Sequence, residues 1–222
     1  MSPTSAIRTA RVASATSARH DGATSSTIPA LPASMSSVAA SVADPMSSTP
    51  ELILGDRPKP SRPDLTLPLV LVLDHLRSAF NPGNIFRLAE ATRATAIYTA
   101  GYTPTPPHDK LAKTARGCDT LVPARNFPTA LEAIQELKRQ GYTVYAVETV
   151  ANATSPWDTT FRFPAALVLG NEALGIAPEA LSACDFFVSL PALGQKNSIN
   201  VGNAGAVVIY QALHQYLERK NQ

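Results

Sequence analysis

Three short stretches of the 222-residue sequence combine polar side chains of types that bind ligands and take part in catalysis. They are Asn81 with Arg87, Gly170-Asn171-Glu172 with Gly175, and Ser198 with Asn200. An arginine set among apolar residues at the start of a helix usually holds a phosphate or a carboxylate. Ser198 and Asn200 stand just before a long apolar helical segment, so they are either helix N-caps or groups that contact a bound molecule.

The elements that must position these stretches are strands and helices that alternate along the chain. Apolar, aromatic or β-branched runs predict strands at 69–73, 96–100, 142–147, 165–169 and 186–190. Helices are predicted near 83–94, over 129–140 and from Val201 onward. The proline-rich loop 101–108 between two of these elements is predicted to be irregular. This alternation predicts an α/β fold with a parallel sheet covered by helices on both faces.

Each of the three polar stretches follows a predicted strand. In open parallel sheets, ligands bind beyond the carboxyl ends of the strands, so we expect the three stretches to meet at one edge. A dinucleotide site would need a Gly-x-Gly-x-x-Gly pattern after the first strand, and the sequence has none there. Cys118 and Cys184 lack a histidine or cysteine neighbour at metal-ligand spacing, so neither a zinc site nor a disulfide is predicted.

The charge of the chain is nearly balanced, with 19 basic and 17 acidic residues. A protein of this kind binds nucleic acid through local basic patches rather than through its net charge. The candidates are Arg57, Lys59 and Arg62, or Lys110, Lys113, Arg116 and Arg125. For any single member of these groups, ordinary solvated surface charge is the better explanation.

The first part of the chain differs in composition from the rest. Residues 1–64 are rich in serine, alanine, threonine and proline, which predicts a disordered extension before one domain at 65–222. Arg8, Arg11 and Arg19 all precede the first acid, Asp21, as in an organellar transit peptide. The two cysteines without a disulfide framework fit a reducing compartment, so a cytoplasmic protein is expected, and the arginine pattern leaves an organelle as the alternative. No apolar run is long enough to predict a membrane span.

The order and spacing of the three stretches resemble the SpoU (TrmH-like) branch of the SPOUT superfamily of RNA 2′-O-ribose methyltransferases. The resemblance covers about 69–217, and the loop from Thr103 to Thr114 resembles a small subgroup without an added RNA-binding domain. The sequence departs from the family pattern in three places. Arg93 replaces a glycine after the first helix, Ala192 replaces a methionine, and Ile199 replaces a leucine.

The resemblance implies a doubly wound, mostly parallel sheet with a C-terminal trefoil knot, and a homodimer that completes each active site from both chains. It implies that S-adenosyl-L-methionine binds at Val147, Gly170, Leu190, Ser198 and Ile199, where the small Gly170 lets the cofactor come close to the backbone. The implied catalytic residues are Arg87, Asn81, Glu172, Ser198 and Asn200, with no metal. The implied reaction is methyl transfer to a ribose 2′-hydroxyl in tRNA or rRNA.

The roles of these residues leave alternatives. A bare guanidinium has a pKa above about 12, so Arg87 is either a base after repositioning or a clamp that orients the acceptor. Asn81 and Asn200 would fix Arg87 and the ribose, and Glu172 would hold the loops in place; structural roles for Glu172 and Asn200 are as well supported. The small residues 204–206 would pack the last helix on a partner or on its own core. The alternative function is an RNA-binding module of the same fold without catalysis.

Overall fold

The computed structural model describes residues 65–221, so the disordered extension predicted for 1–64 lies outside the described residues. The strands are β1 (Leu67–Asp74), β2 (Ala94–Ala100), β3 (Ala124–Phe127), β4 (Thr143–Val147), β5 (Ala165–Leu169) and β6 (Phe186–Val188). The helices are α1 (Phe80–Thr92), α2 (Asp109–Ala115), α3 (Cys118–Leu121), α4 (Ala130–Arg139), α5 (Pro178–Ala183) and α6 (Val201–Lys220). None of these helices is long and apolar enough to cross a membrane.

The strands form one sheet in the order β3-β2-β1-β5-β4-β6, and every neighbouring pair is parallel. Because β5 pairs with β1, the chain order reverses between these two central strands. After β1 the chain enters α1 on one face of the sheet, and after β5 it enters α5 on the other face. The predicted doubly wound α/β sheet is confirmed, and a crevice is expected where the two connections diverge.

Two apolar layers hold the helices on the sheet. Leu69, Leu71 and Leu73 of β1 pack with α1 and α6 on one face, whereas Val70 and Val72 pack with α4 and α5 on the other. Side chains of a strand alternate between its faces, so a strand buried on both faces needs an unbroken apolar run. The sequence of β1 has that run, which is why this strand was predictable.

The predicted elements are present with shifted ends. Helix α1 begins at Phe80 rather than near Gly83, because Pro82 lies in the first turn, where its missing N–H has no intrahelical partner to lose. Strand β6 ends at Val188 and does not continue to Leu190. At the end of α1, Arg93 adopts the left-handed conformation (φ 55°) in which its N–H bonds back to the helix. A non-glycine residue pays about 1–2 kcal/mol for that conformation.

Strand β3 and helices α2, α3 and α5 were not predicted. All four elements are short, and the first three residues of β3 are exposed, so they carry no apolar periodicity that a sequence pattern could reveal. Their conformation is decided by neighbours from other parts of the chain: β3 by its pairing with β2, and α2 by its packing on α1.

Candidate active site

The loops at the carboxyl edge of the sheet enclose an open cavity of about 740 Å³. Its walls come from the ends of β4, β5 and β6 and from the segment that leads into α6. The predicted cofactor-binding residues Val147, Gly170, Leu190, Ser198 and Ile199 all line it, as do Glu172 and Asn200. Side chains that are far apart in the sequence therefore share one site, as the strand-end argument predicted.

A chain of side-chain hydrogen bonds joins the three polar stretches. The Asn81 amide nitrogen donates to Oε1 of Glu172 at 2.7 Å, and the Asn200 amide nitrogen donates to Oδ1 of Asn81 at 3.1 Å. Asn81 is 4% exposed. Because a buried amide with both ends paired is held in one orientation, Asn81 fixes the positions of the other two loops relative to each other.

Glu172 is the anionic end of this chain. Burial by itself raises the pKa of this carboxyl, but donation from the backbone N–H groups of Arg77, Glu172 itself and Ser78, and from the Asn81 amide, lowers it below its usual value. The Arg77 and Ser78 N–H groups lie 3.0 and 3.4 Å from the two carboxylate oxygens. A carboxylate held ionised by so many donors is a poor proton acceptor, which favours the holding role for Glu172 over a role as general base.

Asn200 has two structural functions at once. Its Oδ1 accepts from the backbone N–H groups of Gly202 (2.9 Å) and Asn203 (3.3 Å), so it is the N-cap of α6. Its amide nitrogen is the donor to Asn81 described above. Ser198 is not the N-cap: it is exposed, and its hydroxyl makes no hydrogen bond to residues 65–221. Of the two alternatives for this pair, the N-cap applies to Asn200, and Ser198 remains available to a ligand.

The turn 170–176 is compact because its own backbone closes on itself. Asn171 and Gly175 exchange two backbone hydrogen bonds, of 3.0 and 2.9 Å. A Cβ atom at Gly170 would lie 2.4 Å from the carbonyl carbon of Gly175 and from the nitrogen of Ile176. The close approach that requires a glycine at position 170 is therefore made by this turn. Contact between Gly170 and a cofactor stays a prediction.

Two carboxylates that brace the site were missed in the sequence. Glu148, directly after β4, lines the cavity and accepts from the N–H groups of Thr149 (2.9 Å) and Ile176 (3.1 Å). Asp74, at the end of β1 and 1% exposed, accepts from the N–H of Ala177 at 2.8 Å. The available signal was their position: each is an acid at the carboxyl end of a central strand.

Arg87 is the one predicted catalytic residue that the fold does not bring into this cluster. It is exposed on α1 and does not line the cavity, and its side chain forms no ion pair or hydrogen bond with any residue from 65 to 221. At 100° per residue, it lies about a third of a turn around α1 from Asn81. The side chain therefore leaves the helix on a different side from the Asn81–Glu172 pair.

The fold and the cavity define an α/β protein that binds a small molecule at the switch point of a parallel sheet. The sequence profile described as "SpoU rRNA Methylase family" matches residues 68–210, and the chain belongs to this family.

Similar proteins extend this assignment. A tRNA (guanosine(18)-2′-O)-methyltransferase of Thermus thermophilus is 31% identical over 71% of this chain and 78% of its own length. A TrmH family protein of Staphylococcus haemolyticus is 30% identical over 65% of this chain, and the match spans 58% of that relative. The crystal structure of the SpoU methyltransferase AviRb from Streptomyces viridochromogenes, in complex with the cofactor AdoMet, has a TM-score of 0.61. It is 25% identical and covers 67% of this chain and 57% of its own.

Proposed function

We propose that this protein transfers the methyl group of S-adenosyl-L-methionine to a ribose 2′-hydroxyl in tRNA or rRNA. The observation that carries the proposal is the hydrogen-bonded link Glu172–Asn81–Asn200 at the rim of the 740 Å³ cavity. The names of the relatives from Thermus thermophilus and Staphylococcus haemolyticus support the same reaction class. A binding module without catalysis has no need for a cofactor cavity beside this polar link.

The cavity suits S-adenosyl-L-methionine in size and in chemistry. Its volume lies within the roughly 300–1,000 Å³ of typical small-molecule sites. The backbone N–H groups of Leu190, Ser198 and Ile199 donate to no acceptor in the described part of the chain, so they are free for the polar edges of an adenine and a ribose. When bound, the cofactor supplies a methyl group already activated by its sulfonium. The protein must then align the acceptor and accept its proton.

The residues of the polar link would orient the acceptor. Asn200 presents its amide group at the wall of the cavity, the buried Asn81 holds Asn200 in place, and Glu172 holds Asn81 as an ionised scaffold. The free Ser198 hydroxyl would contact the cofactor and the substrate. Arg87 would orient the acceptor through its planar guanidinium or accept its proton. No metal has a part in this scheme.

Substitution of Arg87 by lysine tests the proposed chemistry. Arg87→Lys keeps the charge but loses the planar fork, so single-turnover methyl transfer to unmodified RNA should fall roughly 10²- to 10⁴-fold. The affinity for S-adenosyl-L-methionine, measured by calorimetry, should be unchanged because Arg87 does not line the cavity. Methyl transfer near the wild-type rate would remove Arg87 from the reaction. A wild-type protein that binds the cofactor but methylates no RNA would contradict the proposed function.

We also propose that the protein is a homodimer in which the partner's Arg87 completes each site. The position of Arg87 outside its own cavity supports this arrangement, as do the exposed apolar side chains Val207 and Tyr210 on α6, which are 39% and 49% exposed. Of the residues 204–206, Gly205 does not add to this support, because it faces its own sheet, where a Cβ would lie 3.2 Å from Leu169.

Mixed dimers distinguish sites shared between chains from sites within one chain. Arg87→Ala and Asn200→Ala should each be nearly inactive alone. If Arg87 acts across the interface, a mixture allowed to exchange subunits should regain about a quarter of wild-type activity, because half of the dimers are mixed and each has one intact site. No recovery in the exchanged mixture, or a monomeric mass in light scattering, would contradict the shared site.

The remaining predictions are part of the same proposal. The C-terminal trefoil knot stays a prediction, and residues 1–64 are proposed to add nothing to the stability of the domain. Deletion of residues 1–50 should leave the melting temperature and cofactor affinity unchanged. The protein is proposed to be cytoplasmic, with an organelle as the alternative. A fluorescent fusion with and without residues 1–64, in a host that has organelles, decides between the two.

A further inference from the structure

Helix α2 carries a pair of cations close to the site. The helix buries Leu111 and Ala115, whereas Lys110 and Lys113 are exposed. These two lysines are three residues apart, so they lie on the same side of the helix, about 5–6 Å from each other at Cβ. Thr114, one of the residues through which α2 contacts α1, follows Lys110 by four residues and so lies on the same side as Lys110.

Helices α2 and α1 pack so closely that α2 has little room to move relative to α1. The Thr114 hydroxyl donates to the carbonyl oxygen of Ala79 at 2.8 Å, and a Cβ at Gly83 would lie 2.1 Å from the Thr114 oxygen. Ala79 and Gly83 flank Asn81 in the first turn of α1. The positions of Lys110 and Lys113 are therefore fixed relative to the turn that carries the polar link of the site.

The loop that leads into α2 is also held firmly. Thr103 donates to the carbonyl oxygen of Leu73 at 3.1 Å and accepts from the N–H of Leu76 at 2.9 Å, which ties the loop to the end of β1. The hydroxyls of Thr99 and Thr105 lie 2.5 Å apart. At the start of α2, the His108 ring accepts from the N–H of Leu111 at 3.2 Å. Loop 101–108 is irregular, as predicted, but it is anchored at each end.

Lys110 and Lys113 are not held in ion pairs by the described part of the chain, although Asp109 lies in the first turn of the same helix. Within residues 65–221, neither side chain has a carboxylate oxygen within the 4.0 Å of an ion pair. By contrast, Arg125, a member of the same candidate patch in the sequence, lies 3.8 Å from Glu136 and over the ring of Phe127. Arg139 and Lys138 are also paired with acids. The unpaired cations beside the site therefore differ from the paired cations of β3 and α4.

We propose that α2 is an RNA-contact arm, in which Lys110 and Lys113 bind backbone phosphates of the nucleotides that flank the acceptor ribose. The inference rests on the proposed function, because it takes RNA as the substrate. The arm would hold the RNA backbone by charge alone and read no bases, since lysine side chains bind phosphates as point charges. It would also supply RNA affinity within the catalytic domain itself.

The test uses the charge-neutral variant Lys110→Gln/Lys113→Gln in the full-length protein. The control is Arg139→Gln/Lys220→Gln, which removes two exposed cations from the last turns of α4 and α6, where no residue lines the cavity. The charge-retaining variant Lys110→Arg/Lys113→Arg completes the set. Binding of unmodified tRNA and rRNA transcripts is measured from 50 to 300 mM salt, together with single-turnover methyl transfer and calorimetric cofactor binding.

In the Lys110→Gln/Lys113→Gln variant, called the arm variant below, the slope of log affinity against log salt should decrease in magnitude by about 1.4–1.8. Each lost phosphate contact removes about 0.7–0.9. RNA affinity should fall roughly tenfold at physiological salt, with cofactor affinity and the rate at saturating RNA unchanged. The control and the arginine variant should keep the wild-type slope. Equal slopes in the arm variant and the control would contradict the proposal that α2 contacts RNA. A wild-type protein that binds no RNA would contradict it as well.

A separate outcome concerns the proposed function alone. If the wild-type protein binds RNA with a slope that the arm variant loses, but transfers no methyl group to any transcript, the RNA-contact arm stands and the methyltransferase proposal fails. Methyl transfer by the wild-type protein with no change in the arm variant has the opposite meaning: the reaction stands and the arm is wrong.

Discussion

The turn 170–176 and the loop 191–200 border the same cavity but are held in place very differently. In the turn, Asn171 donates to the carbonyl oxygen of His75 (2.6 Å) and to the Tyr102 hydroxyl (2.9 Å), and its oxygen accepts from Ala173 and Leu174. In the loop, every residue from 191 to 200 is exposed, and Leu193 is 98% exposed. Within residues 65–221, the only hydrogen bond that holds the loop before Asn200 runs from the Thr149 hydroxyl to the carbonyl oxygen of Asn197, at 3.4 Å.

We infer that the turn 170–176 is a wall of the cavity that is formed before a ligand binds, whereas the loop 191–200 is a wall that becomes ordered when a ligand binds. The turn becomes ordered when the protein folds, because tertiary hydrogen bonds fix it. The loop has few buried contacts, which places it among the segments that open most easily. We expect the turn to set the position of the cofactor and the loop to close on it, so that substitutions in the two walls affect stability and binding in different proportions.

The largest difference in stability is expected between two glycine-to-alanine substitutions, one in the turn 170–176 and one in the loop 191–200. Gly170→Ala places a Cβ 2.4 Å from the backbone of Gly175 and Ile176, whereas a Cβ at Gly194 meets nothing within 4 Å. Gly170→Ala should therefore lower the free energy of unfolding by about 3 kcal/mol and weaken cofactor binding, and Gly194→Ala should change stability by less than about 0.5 kcal/mol. Chemical denaturation and calorimetry measure both. Equal stabilities would show that the turn relaxes easily and is not a fixed wall.

Removal of one asparagine from each wall gives the next largest effect. Asn171→Ala deletes four hydrogen bonds at a residue that is 6% exposed, so the free energy of unfolding should fall by about 2–4 kcal/mol. Asn197→Ala, in the exposed loop, is the matched control and should stay within about 0.5 kcal/mol of the wild type. A thermal or denaturant midpoint for Asn171→Ala equal to that of its control would contradict the comparison.

The pH dependence of the preformed wall follows from Glu172. Because the pKa of Glu172 is lowered in the folded protein, its contribution to stability is complete above its unfolded pKa of about 4.3 and is lost as the pH falls through the lower folded value. The stability advantage of the wild type over Glu172→Gln should therefore shrink on acidification below about pH 5. Chemical denaturation at a series of pH values measures this difference, and a stability advantage that stays constant on acidification would contradict the prediction.

The smallest effects on stability are expected for substitutions in the loop 191–200. Addition of S-adenosyl-L-methionine should slow amide hydrogen exchange in 191–200 by about tenfold or more, with little change in 170–176, which is already protected. Leu193→Ser should leave the melting temperature unchanged, since its side chain is almost fully exposed. Equal slowing of exchange in both segments would show that neither wall is preformed.

The parts of the fold that could be predicted are those with a strong local signal. The buried runs of β1 and β5 have almost no polar residue, and α4 carries a clear apolar stripe with an N-cap at Thr129, so their type was evident from the sequence. Short elements such as α2 and β3 lack such a signal. The bracing roles of Asp74 and Glu148 were also missed, because an acid at a strand end is ordinary until a distant N–H is placed beside it.

The sequence by itself determined that the chain forms a parallel α/β sheet and that Asn81, Glu172 and Asn200 follow strands of that sheet. The carboxyl ends of parallel strands lie on the same edge of the sheet, so polar residues that directly follow several strands come together at one site. Only the tertiary structure decided which atoms meet there. It assigned the need for glycine at position 170 to the turn itself and placed Arg87 away from its own cavity. It also set Lys110 and Lys113 beside the first turn of α1, because these outcomes depend on contacts between segments that no local pattern encodes.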